Sequence, residues 1–584
     1  MPTSKSREVD RSQDRSQPLE ALHQNESIKA NSDYLRGTIR ASLANPLSGA
    51  LEGDDHQLTK FHGIYLQDDR DLRDERRRQK LEPAYQFMVR LRLPGGVCQP
   101  DQWLRLDAIA TNHANGTLRL TTRQTFQLHG VLKRNLKATV QGIHEALLDT
   151  IAACGDDNRG VMATPLPEHD EIHGQVHDLA RRVSDHLLPR SRAYHEIWLD
   201  EEPVYRGSKQ GDGDGVEPIL GSTYLPRKFK IGFAVPPVND VDVFTQDIGF
   251  IAIADGPDLA GFNVSVGGGM GRTDNQPATY PRLGDVIGFC TPEQVVDVAE
   301  KIVTIQRDYG NRVNRELARM KYTIDRLGLD WFTEALHDRL GWRLGKARPY
   351  RFTTSQDRFG WSRNRDGTWN YTLFVENGRV KDTDDHQMMT GLREIARVHT
   401  GDLRITPNQN LIIARIREQA KASTDDLLEE HGIIAATERS DVRLHSMACV
   451  GLPTCPLAMA ESERYFPELM TKIEGLMAEA GVGDAPIVIR MSGCNNGCSR
   501  PYVAEIGFSG RGPGTYNMYL GGGFHGQRLN KPHLDNVDEA TILETLKPMF
   551  VRYARERQEG ERFGDFAVRM GYVPEVREGR AFNA

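Results

Sequence analysis

Residues 116–131, GTLRLTTRQTFQLHGV, indicate the fold of this chain because a similar stretch returns much later in the sequence. Residues 401–416, GDLRITPNQNLIIARI, repeat the Leu-Arg-hydrophobic-Thr start, the Gln that follows it and the apolar run at the end. The two stretches begin 401 − 116 = 285 residues apart, far beyond the period of a solenoid repeat. The pair therefore predicts an old duplication of a large unit.

A second pair of stretches supports the duplication. FNVSVGGGMG at 262–271 resembles YNMYLGGGFHG at 516–526, and the landmarks keep the same order in both halves. Between these landmarks lie YLPRKFKIGF at 224–233 and IVIRMSGCNNGC at 487–498. We expect these two segments to form equivalent loops, so that one half carries lysines where the other carries cysteines.

The local pattern within the first half alternates between strand and helix. FMVRLRL at 87–93 alternates apolar and polar residues, as a half-buried strand does, and WLRLDAIATNHA at 103–114 has a helical pattern. TLRLTTRQTFQLHG at 117–130 predicts another strand. A second helix is predicted by apolar residues at helical spacing, which are Val140, Ile143, Leu147, Leu148 and Ile151. Strands and helices in this order predict α+β layers.

Length and charge limit the class of protein. The chain has 584 residues, beyond the roughly 250–300 residues at which single cores stop growing, so several domains are expected. Its formal net charge of −7 argues against non-specific binding of nucleic acid. No apolar run approaches the roughly 20 residues of a membrane span, so no membrane partner is expected.

The amino-terminal 33 residues and the number of cysteines bear on the cellular compartment in which the protein is expected. The segment is polar, carries charges of both signs and lacks the apolar core of a secretory signal, so it predicts a flexible tail or a docking arm for a partner. Seven cysteines, an odd number in a chain without such a signal, favour a reducing cytoplasm over a disulfide framework.

Four of the seven cysteines lie close together, as Cys449-x5-Cys455 and Cys494-x3-Cys498. Four thiolates from two loops suit a [4Fe–4S] cluster, which takes four Cys ligands. A gap of five residues is loose for zinc, whose paired cysteines usually have roughly two to four residues between them. Neither pair has the two-residue gap of a redox dithiol. From spacing alone, an iron–sulfur cluster, a zinc site and unrelated buried cysteines all remain open.

Several basic residues lie in apolar segments that contain few carboxylates. Arg90 and Arg92 alternate in one predicted strand and two lysines alternate in another, so each pair is expected to share a face. Solvent exposure is the usual fate of such side chains. Together, however, they fit a buried pocket for an anion or for a cofactor that carries many carboxylates. The residues concerned are Arg90, Arg92, Arg123, Arg159, Lys228, Lys230 and Arg404.

The motifs SDYLRGTI, FHGIYLQDDRDLRDERRRQKLEP, RLRLPGG, LTTRQTFQLHG and YLPRKFK, with the cysteine pairs, resemble the siroheme/[4Fe–4S] nitrite and sulfite reductase family. The resemblance begins at about Ser32 and covers nearly all of the chain beyond it. It implies an α+β, internally duplicated, pseudo-twofold nitrite/sulfite reductase fold. The implied parts are a tail and docking segment at 1–70, paired ferredoxin-like halves at 71–150 and 350–425, and two further α+β lobes at 151–349 and 426–584.

The resemblance also implies a siroheme cofactor, a [4Fe–4S] cluster and roles for individual residues. Cys449, Cys455, Cys494 and Cys498 would ligate the cluster, and Cys498 would also ligate the siroheme iron. Asn495 stands where the family usually has proline, for which we expect a minor loop adjustment. The residues implied to hold sulfite are Arg90, Arg159, Lys228 and Lys230. Those expected near siroheme, whose eight carboxylates need partners, are Arg92, Arg123, Gln127, His129, Arg404 and Asn408. The basic stretch 310–328 is expected to be helical and to face either solvent or an anion.

Alternatives remain for the substrate, the electron donor and the class of protein. A nitrite reductase is possible, although that branch typically has asparagine in place of one of the two lysines. The chain has no flavin or nicotinamide fingerprint, so electrons must come from another protein. Residues 32–55 resemble the NADPH-linked branch, whose partner is an FAD/FMN flavoprotein α subunit, and ferredoxin is the alternative donor. A structural zinc protein without enzymatic activity would be colourless.

Overall fold

The computed structural model describes residues 18–166, 170–200 and 217–584. Among these residues, no helix is both long and apolar enough to cross a bilayer. The α-helices span Gln24–Ala30, Ile39–Ala44, Asp55–Leu58, Arg73–Arg78, Pro100–His113, Leu136–Glu145, Asp170–His186, Ala193–Trp198, Val295–Tyr309, Met320–Leu327, Leu329–Leu340, Met388–Val398, Lys421–Glu430, Ile433–Thr437, Asp441–Leu444, Phe466–Glu479, Glu539–Glu556 and Phe563–Arg569.

The described residues contain twenty strands, which fall into four groups of five along the chain. The first group is β1 (Ile64–Asp68), β2 (Tyr85–Arg90), β3 (Val97–Cys98), β4 (Leu118–Leu120) and β5 (Phe126–Val131). The second is β6 (Met162–Ala163), β7 (Ile231–Ala234), β8 (Ile248–Asp255), β9 (Asp258–Val266) and β10 (Asp285–Cys290). The third is β11 (Gly360–Arg363), β12 (Trp369–Leu373), β13 (Arg379–Val380), β14 (Asp402–Ile405) and β15 (Leu411–Ile416). The fourth is β16 (Ser446–Ala448), β17 (Ile489–Ser492), β18 (Ile506–Gly512), β19 (Thr515–Leu520) and β20 (Lys531–Val537).

The first and third sheets are built alike and exchange a strand. β1, β2, β5 and β4 form the first sheet in that order, and β13 from the second half of the chain closes its edge. β11, β12, β15 and β14 form the third sheet, and β3 from the first half closes the corresponding edge. This reciprocal exchange confirms the duplication predicted from residues 116–131 and 401–416.

A tight turn before each exchanged strand explains why glycine is needed there. Gly96 precedes β3 and Gly378 precedes β13, and both have a φ of +75°. A Cβ at Gly96 would lie 2.6 Å from the carbonyl oxygen of Ile405, and one at Gly378 would lie 2.2 Å from that of Leu120. Because Ile405 ends β14 and Leu120 ends β4, each glycine lets the exchanged strand approach the sheet that it joins.

Each repeated stretch folds as a strand, a tight turn and a second strand, so the single strand predicted over 117–130 is wrong. Gln124 in the turn between β4 and β5 takes a φ of +53°, and its amide nitrogen donates to the Ile405 carbonyl at 3.1 Å. Gln409, 285 residues later, takes a φ of +72° and donates to the Asn377 carbonyl at 3.2 Å. The Gln shared by both stretches therefore anchors each turn, with Gln124 bonded to the opposite half and Gln409 bonded to the loop before β13 in its own half.

The second sheet (β6–β10) and the fourth sheet (β16–β20) share one topology. In each, the first three strands are parallel and the last two continue antiparallel. An acidic residue before the third strand makes the same bond in both lobes. Asp247 Oδ2 accepts from the Lys230 N–H at 2.9 Å, and Glu505 Oε2 accepts from the Val488 N–H at 2.8 Å. Lys230 therefore corresponds to Val488 in the duplication.

This register corrects the expected equivalence of the lysine and cysteine loops. Lys228 and Lys230 precede β7, whereas Cys494 and Cys498 follow β17. The segments that resemble each other share a strand, but their functional side chains lie at its opposite ends. The lysines therefore lie at the amino ends of one set of parallel strands, and the cysteines lie at the carboxyl ends of the repeated set.

Two predicted helices are shorter than expected. The helix Leu136–Glu145 ends before Leu147, whose side chain is 89% exposed, so this residue does not belong to the buried face. The stretch 310–328 becomes an α-helix only at Met320–Leu327, after a loop and one 3₁₀ turn. In both cases the apolar or basic pattern is longer than the helix, extending beyond its carboxyl end in the first stretch and before its amino end in the second.

The amino-terminal segment is more structured than a flexible tail. From Gln24 to residue 68 it forms three helices and β1, which pairs with β2 in the first sheet. Lys29 Nζ donates to Glu26 Oε1 at 2.7 Å and to the Leu225 carbonyl at 2.8 Å, so this segment packs on the lobe that contains the second sheet. Residues 1–17 of the expected docking arm lie outside the described residues.

Candidate active site

The two cysteine pairs lie at the carboxyl ends of neighbouring parallel strands. Cys449 follows β16 directly, and Cys494 lies two residues beyond β17. Because β16 and β17 pair in parallel, their loops meet, and the Gly493 N–H donates to Cys449 Sγ at 3.2 Å. A Cβ at Gly493 would lie 2.8 Å from the Ala460 carbonyl oxygen, so glycine permits this close approach. The fold thus joins two pairs that the sequence separates.

The four thiols share one electrostatic environment. Burial raises the pKa of Cys494 to about 12, with further contributions from Cys498 and Cys449. Burial likewise raises the pKa of Cys449 and of Cys455, and the other cysteines add to both shifts. Thiolates held so near one another require positive charge between them. Among the described residues, no three Cys, His, Asp or Glu side chains meet as closely as one metal ion requires.

Lys228 and Lys230 lie beside the cysteine loops. Burial lowers the pKa of both ammonium groups well below the ordinary value, and Arg227 and Arg159 add to the shift of Lys228. Charge on Cys498 acts in the opposite direction on both lysines, which places this thiol near them. Neither ammonium group has a hydrogen bond or an ion pair to any residue that the structure describes. The pair therefore presents unbalanced positive charge to the space beside Cys498.

Arg159 is held in register with the two lysines. Its backbone N–H donates to the carbonyl of Phe229, the residue between them, at 3.0 Å. Its guanidinium Nη2 donates to the Gly155 carbonyl at 3.0 Å and to the Tyr65 hydroxyl at 3.5 Å. Three of the four residues predicted to hold sulfite therefore come together at the amino ends of β6 and β7.

Arg90, the fourth of these residues, ends β2 and lies on the other side of Tyr65. Its Nη1 donates to Cys154 Sγ at 3.2 Å. With its amide oxygen turned toward Arg90, Gln127 accepts from Nε at 3.1 Å. Arg90 and Arg159 both counteract the burial that raises the pKa of Tyr65. Tyr65 therefore lies near both Arg90 and Arg159, and neither Tyr65 nor Cys154 was distinguished by its sequence context.

Arg123 and His129 each keep a buried nitrogen atom without a partner among the described residues. Arg123 donates to Gln246 Oε1 at 2.8 Å and to the Gly160 carbonyl at 2.6 Å, but its Nε has no acceptor. Burial, with three neighbouring arginines, lowers its pKa to about 9. His129 Nε2 lies 3.3 Å from the Gln127 amide, and its Nδ1 is unpaired. Unpaired buried donors near excess positive charge fit an anionic ligand.

The positive charges of Arg92 and Arg404 are neutralised by ion pairs with aspartates. Arg92 forms ion pairs with Asp149 at 2.6 Å and with Asp185 at 2.7 Å. Arg404 pairs with Asp402 at 2.5 Å and is almost fully buried. Beyond the end of β2 at Arg90, Arg92 forms an isolated antiparallel bridge with Asp149. Neither Arg92 nor Arg404 offers a free cation to a cofactor.

Nothing in the sequence singled out Arg500, which lies two residues beyond Cys498 and joins the two halves. Its Nη1 donates to the Thr122 carbonyl at 3.0 Å, and its Nη2 donates to the Pro407 carbonyl at 3.0 Å. These carbonyls are 407 − 122 = 285 residues apart and therefore equivalent in the duplication. Thr122 Oγ1 also donates to the Cys498 carbonyl at 2.9 Å. The turn of the first repeat is thereby fixed against the cysteine loop.

The basic stretch 310–328 pairs with carboxylates rather than facing solvent alone. Arg315 forms a two-bond ion pair with Asp156, at 2.7 and 2.9 Å. Arg319 pairs with Asp247 at 2.8 Å, and the carboxylate of Asp247 also accepts from the Lys230 N–H. Arg319 thus supports the backbone from which the lysines project.

Comparisons with known proteins agree with this architecture. The family model "Nitrite and sulphite reductase 4Fe-4S domain" matches residues 178–344 and 440–578, and "Nitrite/Sulfite reductase ferredoxin-like half domain" matches 78–146 and 362–431. The fold is that of a duplicated α+β reductase, and the chain belongs to the nitrite and sulphite reductase family. The predicted fold class is therefore confirmed.

Individual relatives within this family are similar to the chain over nearly its whole length. The sulfite reductase [NADPH] hemoprotein beta-component of Shouchella clausii is 60% identical to this chain, over 96% of this chain and 97% of its own. The protein of the same name from Geobacillus kaustophilus is 58% identical, again over 96% and 97%. The solved structure of the Mycobacterium tuberculosis NirA protein matches with a TM-score of 0.75 at 24% identity, over 95% of this chain and 97% of that one, which supports the fold.

Proposed function

We propose that this chain is the hemoprotein component of an NADPH-dependent sulfite reductase, and that it reduces sulfite to sulfide with six electrons at siroheme coupled to a [4Fe–4S] cluster. One observation carries the proposal. An accessible thiol, Cys498, belongs to a group of four cysteines on one side and lies beside two unpaired lysines on the other. The names of the curated relatives support the same substrate.

The donor set fits an iron–sulfur cluster better than a zinc ion. Cys449, Cys455, Cys494 and Cys498 would hold the cluster, because four thiols from two adjoining loops act on one another electrostatically and a [4Fe–4S] cluster takes four Cys ligands. Cys498 is exposed, whereas the other three thiols are buried or half-buried. This thiol is therefore the one that could also ligate the siroheme iron.

The siroheme carboxylates would take the unpaired polar groups near the cysteine loops. Arg123 and His129 supply nitrogen donors without present partners, and Gln127 lies between His129 and Arg90. Asn408 donates to the Ser355 carbonyl at 3.1 Å, while its own buried oxygen is unpaired. We leave Arg92 and Arg404 out of this proposed set.

The chain's own residues bind the anion and move protons. When bound, siroheme and the cluster supply the reacting iron and the electrons. Arg90, Arg159, Lys228 and Lys230 would neutralise and orient sulfite. Each of the three oxygens of sulfite leaves as water and needs protons. Because burial lowers the pKa of the two lysines, their ammonium groups release protons more readily than exposed lysines do.

The electron donor is a separate protein in this proposal. The relatives are named beta-components, which implies a partner component. We place an FAD/FMN flavoprotein α subunit in that role, with ferredoxin as the alternative. The cytoplasm remains the proposed compartment, since all seven cysteines are free thiols.

Visible absorption and metal content test the proposal directly. Purified wild-type protein should contain iron and absorb strongly in the visible range, and Cys498→Ser should lose the spectroscopic coupling between cluster and siroheme. The control is Cys290→Ser, which replaces a buried cysteine of the hydrophobic core and should leave the spectrum unchanged. Colourless wild-type protein that contains zinc and no iron would refute the proposal.

A further inference from the structure

A cavity of about 330 Å³ lies outside Arg159 and Lys228, which are part of its wall. The helix Gln24–Ala30 and the segment 57–65 form other parts of the wall, so the amino-terminal region shapes this cavity. Asn496 of the cysteine loop also lines it. The cavity wall therefore joins residues of the amino-terminal region to two of the residues proposed to hold sulfite.

The walls of this cavity carry far more positive than negative charge. The lining cations are Lys29, Lys60, Arg159, Arg227, Lys228 and Arg315, and Asp156 is the one carboxylate among the described lining residues. Asp156 is already shared, since it pairs with Arg315 at 2.7 Å and lies 3.7 Å from Lys29. The remaining four cations have no carboxylate to balance them inside the cavity.

Two of these four cations, Lys60 and Arg227, are not among the residues proposed to hold sulfite during its reduction. Lys60 Nζ donates to Gln57 Oε1 at 2.5 Å and has no acidic partner within the described chain. Burial and the nearby cations Arg315, Arg227 and Arg159 lower its pKa to about 8. Burial and Arg315 lower the pKa of Arg227 to about 10. Mutual repulsion of this kind is relieved when an anion binds between the cations.

We propose that Lys60 and Arg227 form an outer anion site, in which sulfite is held before it reaches Arg159 and Lys228. The proposal rests on the proposed function and deepens it, because it names the residues that set the affinity for sulfite without taking part in its reduction. Lys29 and Arg315, fixed by Asp156, would shape the outer site but contribute less free charge. Because residues of the helix Gln24–Ala30 line the cavity, this helix would form part of the wall past which sulfite enters.

Steady-state kinetics of the cofactor-loaded enzyme with a reduced dye donor test the outer site. We expect Lys60→Gln and Arg227→Gln each to raise KM for sulfite about tenfold, the size of one charged contact, with kcat unchanged. Lys60→Arg, which keeps the charge, should restore the wild-type KM. Lys547→Gln removes an exposed charge from the helix Glu539–Glu556 and serves as the matched control.

Thermal unfolding of the same proteins gives a readout that needs no turnover. Sodium sulfite should raise the Tm of the wild type, because it binds the folded state, and about tenfold more sulfite should be needed for the same rise in Lys60→Gln and Arg227→Gln. Wild-type KM and wild-type Tm response in both variants would overturn the outer site, as would a lower kcat at unchanged KM. Failure of the wild type to reduce sulfite would refute the proposed function instead. The effect of sulfite on the Tm of the wild type and the two variants would still show whether Lys60 and Arg227 bind the anion.

Discussion

Lys228 and Lys230 are buried lysines whose ammonium groups have no acidic partner in the described part of the chain. Arg92 and Arg404 show the common alternative, since each is neutralised by aspartate at 2.5 to 2.7 Å. A buried cation without a counter-ion is costly, and the cost is offset when an anion binds. The absence of a nearby carboxylate therefore distinguishes Lys228 and Lys230, as candidate anion ligands, from buried cations such as Arg92 and Arg404.

The charge of Lys230 should discriminate between substrates. We expect Lys230→Asn to lower kcat/KM for sulfite by about 100-fold, because a charged donor to a doubly charged anion is lost. The value for nitrite, a smaller anion with one charge, should fall less than about tenfold. Parallel turnover assays with the two anions measure this ratio, and equal losses would argue against a role of Lys230 in selectivity.

The sequence predicted residue chemistry where side-chain type determines it. Four thiols and two alternating lysines are recognisable because few other residues can replace them as cluster ligands or anion donors. Arg500 was missed because its role depends on two carbonyls, of Thr122 and Pro407, that come together only in the fold. The ion pairs of Arg92 with Asp149 and Asp185 could not be predicted either, because these partners lie 57 and 93 residues away along the chain.

At the element scale, the exchanged strands β3 and β13 hold the two halves together. Gly378 lies where a Cβ would meet the Leu120 carbonyl oxygen at 2.2 Å. Gly116 has nearly the same backbone, with a φ of +78°, but nothing lies within 4 Å of its Cβ position. A comparison of substitutions at these two glycines therefore separates the free-energy cost of a left-handed backbone from the cost of a steric collision.

We expect Gly378→Ala to lower the free energy of unfolding by ~2–4 kcal/mol, and Gly116→Ala to lower it by only ~1 kcal/mol. The first change adds a collision with β4 to the backbone strain, whereas the second adds strain alone. Denaturant unfolding followed by circular dichroism gives both values. Equal losses would show that β13 does not pack against the first sheet as described.

Glu505, which precedes β18, should make stability depend on pH. Its carboxylate accepts from the N–H groups of Val488 at 2.8 Å and Gly564 at 2.9 Å, and burial raises its pKa to about 7. The folded protein therefore keeps a proton that the unfolded chain releases near pH ~4.3, so this group's stabilisation is lost as pH rises through about 7. Glu505→Gln does not titrate, and the fall in its Tm between about pH 5 and pH 8 should be shallower than in the wild type.

Calorimetry across this pH range measures both slopes, with Glu559→Gln at an exposed position as the control. The control should keep the wild-type slope. A Glu505→Gln slope as steep as that of the wild type would assign the pH dependence to other buried groups, such as Asp240, whose pKa burial also raises to about 7.

The individual strands and helices were largely predictable, but their pairing was not. Alternation identified β2, and helical periodicity identified Pro100–His113. Periodicity within a short window carries no information about a partner strand 285 residues away, so the exchange of β3 and β13 appears only in the structure. The turn between β4 and β5 was missed because Thr and Gln are not strong turn formers.

At the scale of the whole molecule, the duplication places two chemistries at opposite ends of equivalent strands. The second sheet presents cations before β6 and β7, and the fourth sheet presents cysteines after β16 and β17. Arg500 and the exchanged strands fix the two halves against each other. The site is therefore a product of the duplicated architecture, and neither half contains all of it.

The structured amino-terminal segment determines how much of it can be removed without damage to the cavity. Removal of residues 1–60 would take away the helix Gln24–Ala30 and Lys60, both part of the cavity wall, so activity with any donor should fall. Removal of residues 1–17 alone spares these walls. If residues 1–17 act as the docking arm, this shorter deletion should reduce NADPH-driven turnover with the flavoprotein and spare turnover with a reduced dye. Unchanged NADPH-driven turnover would eliminate residues 1–17 as the arm.

The most direct measurement of the central claim is the stoichiometry of sulfite reduction by the purified, cofactor-loaded protein with a one-electron dye donor. We expect six donor equivalents to be consumed for each sulfide formed, and sulfide formation to be lost in the double variant Lys228→Met, Lys230→Met. Consumption of donor without formation of sulfide, or undiminished sulfide formation by the double variant, would contradict the central claim.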